Sequence, residues 1–281
     1  MNKAIKFIDR FKDAAQLYSP LCIGIDPTPE VLRAWGGNDD LLSLEKYCDQ
    51  YSDILIGNVA MIKPQASFFE RFGSEGIKVL EKLIAKCRKN NILVLLDAKR
   101  SDIPTTMQGY AEAYFSQNSS IRVDAITVTP FLGFDTLLPV IDLAAKNGGY
   151  VFVVTVSSNP EGINLQRALI DNKPLYQHIA EKIKHINTVI YPDSKPCGAV
   201  VGATQTNLPA EFYDTLQTAM LLSPGIGAQG ASIENLAMKH VMNKFIPTIS
   251  RQLSLIGNDQ VQILDRLESF KDKARQLIGK S

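Results

Sequence analysis

The 281-residue sequence is poor in the features that mark several common classes of protein. Its 30 lysine and arginine residues nearly balance 29 aspartate and glutamate residues, so the net charge is only +1. Such a chain has no general electrostatic attraction for nucleic acid or for an anionic membrane surface. No apolar run approaches the roughly 20 residues that a membrane-spanning helix needs. We therefore expect a cytoplasmic protein that binds neither nucleic acid nor membrane.

Cysteine and histidine are also scarce, and neither residue type is grouped. The four cysteines form no CxxC pair and have no zinc-ligand spacing, which indicates buried thiols in a reducing compartment. The three histidines fall in helical or ambiguous segments, so we interpret them as core or surface residues and not as metal ligands. These residues are Cys22, Cys48, Cys87, Cys197, His178, His185 and His240. The sequence contains neither a recognisable metal-ligand set nor a Ser-His-Asp arrangement.

Short runs rich in valine and isoleucine alternate with longer segments of helical period. The runs are nearly continuously hydrophobic, which is typical of parallel strands covered on both faces. Eight such strands alternating with helices favour a closed α/β barrel, the TIM (β/α)8 barrel, over an open doubly wound sheet. The predicted strands are 21–26, 59–64, 92–99, 125–130, 150–157, 198–204, 219–225 and 245–250. The clearest predicted helical segments are 43–55, 76–89 and 136–147, whereas 158–197 and 226–244 give no firm prediction.

The first residues predict an amphipathic helix over 3–16, with Ile5, Ile8, Phe11 and Ala15 on its apolar face. Acidic residues alternate with basic ones there, unlike in a transit peptide, and no continuous apolar stretch indicates a signal peptide. No repeat, low-complexity tract or linker divides the chain. We therefore expect a single barrel domain over 1–281, with this helix packed against it.

Polar residues occur at the C-terminal ends of nearly all predicted strands, where barrel enzymes have their active sites. In the segment LLDAKRSDIPTT (95–106), Asp97 and Lys99 are two apart in a strand, so their side chains point to one face. A plain ion pair would also explain these two residues, and Asp102 could serve only as a helix N-cap. Lys63 ends another strand, and burying two lysines and two aspartates is costly unless they pair. The cluster therefore favours a catalytic function.

The segment SPGIGAQG (223–230) follows the seventh predicted strand and suits a phosphate-binding role. Its glycines let backbone N–H groups approach an anion, and barrels often bind phosphate after strands 7 and 8. The alternative interpretation is a flexible loop that happens to contain three glycines.

Together these motifs resemble those of the orotidine 5′-phosphate decarboxylase family. DAKRSDIPTT is similar to the family signature Asp-x-Lys-x-x-Asp-Ile-Pro followed by Thr, and with Lys63 it completes a tetrad of Lys63, Asp97, Lys99 and Asp102. The resemblance covers most of the chain and includes GIDPTP, KPQASFFERFG, SSNPEG and SPGIGAQG. The chain length and the KPQ, SSNPEG and GATQT segments are similar to the longer, type 2-like branch of the family.

The resemblance implies decarboxylation of orotidine 5′-phosphate to UMP, in pyrimidine biosynthesis, without a metal or a cofactor. In this scheme the Lys99 ammonium stabilises negative charge at C6 of the ring and then protonates C6. Asp97 repels the substrate carboxylate, while Asp102 and Lys63 keep Lys99 charged and oriented. The family's acid matching Asp102 enters the neighbouring subunit's site, which implies a homodimer with shared sites.

The resemblance also implies a set of substrate-binding residues. Asp26 and Lys63 would reach ribose hydroxyls, and Gln229 would bridge the phosphate and the pyrimidine. Arg251, in ISRQL where the family commonly has Gly-Arg-Ser, would bind phosphate, although a solvated charge is the alternative. Ser158 would bind the pyrimidine, with a turn hydroxyl as its alternative. The full set is Asp26, Ile103, Thr106, Ser158, Pro224, Gln229 and Arg251.

Two other functions remain open at this stage. Related barrels that decarboxylate 3-keto-gulonate 6-phosphate, or act as hexulose-phosphate synthases, share Asp-x-Lys-x-x-Asp but use Mg²⁺ with an acid where Lys63 stands. A lysine there would repel Mg²⁺, which favours carboxylate ligands. A non-catalytic barrel that binds a nucleotide phosphate would keep SPGIGAQG but would not need four clustered charges.

Overall fold

Eight parallel strands form a closed barrel in the computed structural model, which describes residues 4–205, 207–227, 230–236 and 244–277. Numbered in chain order, they are β1 (Cys22–Ile25), β2 (Met61–Pro64), β3 (Leu93–Arg100), β4 (Ala125–Val128), β5 (Tyr150–Val156), β6 (Cys197–Val201), β7 (Leu221–Ser223) and β8 (Phe245–Ile249). Strand β1 pairs with both β2 and β8, with Cys22 opposite Met61 and Thr248. This closure confirms the predicted TIM barrel.

Helices follow the strands and form an outer layer. They are α1 (Phe7–Leu17), α2 (Pro29–Ala34), α3 (Leu41–Leu55), α4 (Ser67–Glu70), α5 (Gly73–Lys89), α6 (Pro104–Phe115), α7 (Leu138–Asn147), α8 (Ile163–Gln166), α9 (Leu175–His185), α10 (Ala210–Thr215), α11 (Ile233–Leu236), α12 (Arg251–Ser254) and α13 (Gln260–Arg275). The segments predicted to be helical correspond to α3, α5 and α7. Helix α7 ends at Gly148, whose φ of 73° is the left-handed conformation that glycine adopts most easily. No helix in the described ranges is long and apolar enough to cross a membrane.

Two groups of buried side chains stabilise the barrel. One lies between the strands and the outer helices, and the other fills the barrel interior. Helix α1 lies across the N-terminal ends of the strands, where Phe7 stacks on Tyr150 with ring centroids 4.9 Å apart. Helix α1 closes this end of the barrel interior, and we call the opposite end, at the C-terminal ends of the strands, the mouth.

The N-terminal helix differs from its prediction. It begins at Phe7, not at residue 3, and Ile5 is 68% exposed, so Phe7 takes the apolar role expected of Ile5. The reason is a close approach to Gly148, because a Cβ there would lie 2.5 Å from the carbonyl oxygen of Ile5. Lys6 is extended, with φ −66° and ψ 145°. Residues 1–3 lie outside the described ranges.

The long connection between β5 and β6 contains structure that periodicity did not predict. After α8, a two-stranded antiparallel hairpin pairs Leu169–Ile170 with Lys173–Pro174. Asp171 and Asn172 form its two-residue turn with φ of 49° and 62°, a tight-turn conformation that these residue types tolerate. Helix α9 then leads to β6. His178 and His185 lie on α9, in a stretch without a firm prediction from the sequence, whereas His240 is outside the described residues.

Candidate active site

The polar strand ends predicted from the sequence meet at the mouth. Lys63 lies in β2 and Asp97 and Lys99 lie in β3, while Asp26 follows β1 and Arg251 follows β8. Lys63 and Asp97 are buried, with 5% and 7% of their surfaces exposed. Charged groups this deep in a fold require partners.

Lys63, Asp97 and Lys99 form one hydrogen-bonded group, which we call the charged triad. The Lys63 Nζ atom donates to Asp97 Oδ2 at 2.9 Å, and the Lys99 Nζ atom donates to Asp97 Oδ1 at 2.6 Å. Both ammonium groups therefore hold the same carboxylate, one on each oxygen. The Lys99 side chain is 48% exposed, so its ammonium group is the member of the triad open to a ligand at the mouth.

Lys99 reaches Asp97 through an irregular backbone and not through the regular strand alternation that we expected. Its φ is 45°, and the register of β3 with β4 shifts between Leu96 and Arg100. The hydroxyl of Thr127 in β4 accepts hydrogen bonds from the backbone nitrogens of Ala98 and Lys99 at 3.1 and 3.0 Å. It also donates to Asp97 Oδ1 at 2.8 Å. Thr127 thus supports the triad, and no sequence motif indicated it.

Arg100 holds the end of this irregular segment of β3 in place. Its guanidinium forms an ion pair with Glu70, donates to the hydroxyl of Tyr114 at 3.3 Å, and lies 5.5 Å from the ring centroid of Tyr110. These contacts tie the end of β3 to helices α4 and α6. The residues on both sides of Lys99 are therefore held by contacts with other elements.

Electrostatics keep Asp97 and Lys63 ionised. Burial alone would raise the pKa of the Asp97 carboxyl, but the ammonium groups of Lys63 and Lys99 hold it well below its usual range. Burial would likewise lower the pKa of Lys63, but Asp97 and Asp26 together raise it above its ordinary value. Asp97 is therefore an anion and Lys63 a cation throughout the neutral range.

Asp102 does not join the triad within its own chain. Its Oδ1 atom accepts a hydrogen bond from the backbone nitrogen of Ile103 at 2.7 Å, and it forms no ion pair among the described residues. The interpretation of Asp102 as an N-cap is wrong, because Ile103 occupies that position before Pro104 opens α6. Ile103 and Thr106 are exposed beside it.

Asp26 presents an unsatisfied acceptor to the mouth. Its Oδ1 atom is buried and has no hydrogen-bond partner in the described part of the chain. Gly24 in β1 makes room for the side chain of Ser250 at this point, because a Cβ there would lie 2.6 Å from Cβ of Ser250. A ligand hydroxyl is the kind of donor that such an oxygen needs.

The loop after β7 is closed by hydrogen bonds between its own backbone groups. Gly225 and Gly227 have φ of 102° and 76°. The N–H groups of Gly227 and Gly230 are already used, donating to the carbonyl oxygens of Ala231 and Gly227 at 2.8 and 3.0 Å. Of the three glycine N–H groups expected to face an anion, two thus have backbone partners. Pro224 lies directly after Ser223 at the end of β7, and Gln229 lies outside the described residues.

The turn after β8 contacts this loop. Arg251 is exposed and its side chain forms no ion pair with a described residue, so its guanidinium is free to meet a ligand. The next side chain, Gln252, packs against Gly227, where an added Cβ would lie 1.8 Å from Nε2 of Gln252. Gln252 therefore couples the two loops, a contact that the sequence did not reveal.

Ser158 follows β5 at the same mouth and is half-buried. It lies close to Gly202, where a Cβ would be 2.6 Å from the backbone nitrogen of Ser158. Gln166 holds the preceding residue, because its amide accepts from Ser157 N at 3.1 Å and donates to Ser157 Oγ at 2.7 Å. The loop containing Ser158 is thus fixed from two sides.

Known proteins share this sequence and fold. Residues 19–251 match the model of the orotidine 5′-phosphate decarboxylase / HUMPS family. The chain is 42% identical over 247 residues to the orotidine 5′-phosphate decarboxylase of Salinispora tropica, covering 87% of this chain and 88% of that protein. It is 37% identical over 273 residues to the protein of the same name from Myxococcus xanthus, covering 96% and 95%.

A solved structure extends the similarity to three dimensions. A putative orotidine 5′-phosphate decarboxylase from Streptomyces avermitilis aligns with a TM-score of 0.91 at 36% sequence identity, covering 98% of this chain and 97% of that chain. The similarity therefore extends over the whole barrel and its outer helices. Since both a family model and relatives that are 37–42% identical cover most of its length, the chain belongs to the orotidine 5′-phosphate decarboxylase / HUMPS family.

Proposed function

We propose that the protein decarboxylates orotidine 5′-phosphate to UMP and CO2 in pyrimidine biosynthesis, using its own charged side chains. The observation that carries this proposal is the charged triad, in which two ammonium groups hold one buried carboxylate at the mouth. The names of relatives that are 37–42% identical support the same substrate.

The chemistry requires a fixed positive charge that can also supply a proton. Breaking the bond between C6 and the carboxyl carbon releases CO2 and leaves the electron pair on C6, in an orbital outside the ring π-system. Large enzymatic rate accelerations correspond to roughly 23 kcal/mol of transition-state stabilisation, and this reaction needs the upper end of that range. The Lys99 ammonium stabilises the developing charge, donates its proton to C6 and becomes a neutral amine, which then regains a proton from solvent.

Asp97 contributes through its own negative charge. The two lysines keep it ionised, so the carboxylate of a bound substrate would meet a like charge beside C6. That repulsion disappears when CO2 leaves. It therefore lowers the activation free energy of decarboxylation measured from the bound substrate. Lys63 balances this charge and holds Asp97 in place.

The remaining mouth residues fit the other parts of the nucleotide. The unpartnered Oδ1 of Asp26 is suited to a ribose hydroxyl, and Ser158 is suited to the pyrimidine edge. Arg251 and the loop at Pro224 would bind the phosphate, where a guanidinium provides two parallel donors. We include Gln229, which lies outside the described residues, in this proposal as the residue that contacts both the phosphate and the pyrimidine.

We further propose a homodimer in which each active site includes Asp102 of the partner subunit, with Ile103 and Thr106. Asp102 pairs with neither lysine of its own chain, and Ile103 is 53% exposed. Phe131, on the loop after β4, is 76% exposed. Large apolar side chains exposed near the mouth favour burial against a second copy.

The Mg²⁺-dependent alternative is disfavoured by Lys63. The matched family also includes HUMPS proteins, so membership alone does not separate the two functions. Lys63 places an ammonium 2.9 Å from Asp97, where the alternative requires a carboxylate to bind Mg²⁺. Full decarboxylation of orotidine 5′-phosphate in excess EDTA is expected, and complete loss of activity that Mg²⁺ restores would favour the alternative.

The decisive test measures the fall in absorbance when orotidine 5′-phosphate is added to the protein. We expect turnover by the native protein, no detectable turnover by Lys99→Ala, and UMP binding by both. Lys82→Ala removes an exposed lysine from α5 and is the matched control. A non-catalytic barrel would bind UMP without any change in substrate absorbance, and near-native turnover by Lys99→Ala would refute the mechanism.

A cytoplasmic location is part of the same proposal. The four cysteines are free and buried, which suits a reducing compartment.

A further inference from the structure

Four lysines converge on a cavity of about 310 Å³ at the end of the barrel opposite the mouth. The cavity lies between α1 and the segments that lead into β6, β7 and β8. Its lysines are Lys6, Lys12, Lys195 and Lys244. It is therefore separate from the charged triad, which lies at the C-terminal ends of the strands.

These lysines have no protein counter-ion in the described part of the chain. None of the four ammonium groups donates a hydrogen bond to a described residue or forms an ion pair with one, whereas the side chains of Lys82 and Lys182 on outer helices both pair with carboxylates. Asp9 and Asp193 also line the cavity, so its described lining residues include four lysines and two aspartates. The cavity therefore has an excess of positive charge.

The excess of positive charge affects the ammonium group of Lys244. It is half-buried, directly before β8. Burial, together with the positive charges of Lys12 and Lys195, lowers the pKa of its ammonium group. An anion that enters between these cations would relieve their mutual repulsion and raise this pKa again.

Thr218 also lines the cavity. The hydroxyl of Thr218 is buried and has no hydrogen-bond partner among the described residues. The segment that contains it is fixed, because the side-chain amide of Asn187 donates to the carbonyl oxygens of Thr218 and Cys197 at 3.3 and 2.7 Å. Thr218 therefore adds a polar residue of fixed backbone position to the lining of the cavity.

We propose that this cavity binds a small anion of the phosphate class, either free phosphate or pyrophosphate. Lysine binds phosphate as a point charge, and several lysines around one cavity favour a multiply charged oxyanion over a singly charged carboxylate. This site is independent of the proposed decarboxylation, since none of its residues lies at the mouth.

Calorimetric titration in the presence of saturating UMP tests the proposal, because UMP occupies the phosphate site at the mouth. Pyrophosphate and inorganic phosphate are titrated separately at constant ionic strength, which distinguishes the two sources, with chloride as the reference anion. We expect saturable binding, weakened about tenfold by Lys195→Ala and by Lys12→Ala. Lys184→Ala, an exposed lysine on α9, is the control and should leave binding unchanged.

A second measurement does not depend on the size of the heat signal. After reductive ¹³C-methylation of the lysines, the NMR resonance that disappears in Lys244→Ala reports the pKa of Lys244. Pyrophosphate should raise that pKa, whereas an equal ionic strength of chloride should not. Binding that UMP displaces, binding unchanged in both lysine variants, or an unmoved Lys244 pKa would overturn the proposal. If UMP itself fails to bind, that result counts against the decarboxylase proposal. The anion-site proposal is then still tested by pyrophosphate binding to the lysine variants.

Discussion

The hydroxyl of Thr127 joins the backbone of Lys99 to the carboxylate that its side chain binds. It accepts from the Lys99 backbone nitrogen at 3.0 Å and donates to Asp97 Oδ1 at 2.8 Å. Lys99 Nζ binds the same oxygen atom at 2.6 Å. A buried threonine on β4 therefore determines where the proposed proton donor stands.

Thr127→Val should impair catalysis more than ligand binding. The change removes the side-chain acceptor of two backbone N–H groups and one of the two donors to Asp97 Oδ1, so we expect a loss of about 1–3 kcal/mol in the free energy of unfolding. We also expect kcat to fall about tenfold or more as Lys99 loses its fixed position, with little change in the Kd for UMP. Steady-state kinetics, urea unfolding and UMP titration measure the three quantities.

Thr127→Ser is the matched control, because it keeps the hydroxyl and removes only a methyl group. It should retain most of the native kcat. Equal losses in the serine and valine variants would mean that packing, and not the hydroxyl, is responsible.

Lys63→Met should destabilise the fold. The variant leaves Asp97 buried with Lys99 as its remaining cation, and breaking a buried ion pair typically costs about 3–5 kcal/mol. Urea unfolding at neutral pH measures the loss. Lys82→Met breaks an exposed ion pair with Glu45 and should change stability by less than about 1 kcal/mol. Similar losses in the two variants would argue against a buried interaction.

The pH dependence of stability follows from the two shifted groups. The pKa of Asp97 is lowered, so its contribution is present above its unfolded value of about 4 and is lost as the pH falls below that value. The pKa of Lys63 is raised, so its contribution is present below about 10.4 and is lost as the pH rises beyond that value. Between these limits the pair should add no slope to the unfolding free energy. Comparing the native protein with Lys63→Met across this range isolates the pair, and a slope difference near neutral pH would contradict the assignment.

Mixing two inactive variants tests the shared site. Asp102→Ala and Lys99→Ala should each lack activity, but a hybrid dimer would contain one site with both residues intact. Random exchange in an equal mixture should therefore restore about a quarter of the native activity. Subunit exchange is verified separately by mass spectrometry of differently tagged chains. Confirmed exchange without any recovery would place Asp102 outside the partner's site.

Arg251→Ala should weaken substrate binding without affecting the fold. The side chain is exposed and pairs with no described residue, so the melting temperature should stay the same. Loss of a bidentate phosphate contact should raise KM for orotidine 5′-phosphate about tenfold or more. Orotidine, which has no phosphate, should react at the same rate with both enzymes. An unchanged KM would identify Arg251 as a solvated surface charge.

Sequence patterns predicted the barrel because its strands are buried on both faces and therefore appear as continuous hydrophobic runs. Lys63, Asp97 and Lys99 were predictable for a related reason, since a barrel brings the ends of its strands together. The conformation that joins them was not, because it depends on Thr127, which lies on another strand and belongs to no motif. Gln252 was missed for the same reason, as its contact with Gly227 connects two separate loops.

Local packing explains the errors at the chain's first helix and in the long connection. Ile5 has the spacing of a helical apolar position, yet its carbonyl packs against Gly148 and the segment is extended. The hairpin at Asp171 and Asn172 has strands of only two residues, too short for a period-2 pattern to be recognised. Periodicity detects neither kind of feature.

Pairing between β1 and β8 has a consequence for synthesis of the protein. The first strand to leave the ribosome receives its last neighbour only when Phe245–Ile249 has also emerged, so the barrel cannot close on a partial chain. Until then β1 keeps an unpaired edge, the kind of surface to which strands of other chains add. The nascent chain is thus exposed to aggregation until β8 has emerged, and chaperone dependence should be concentrated before that point.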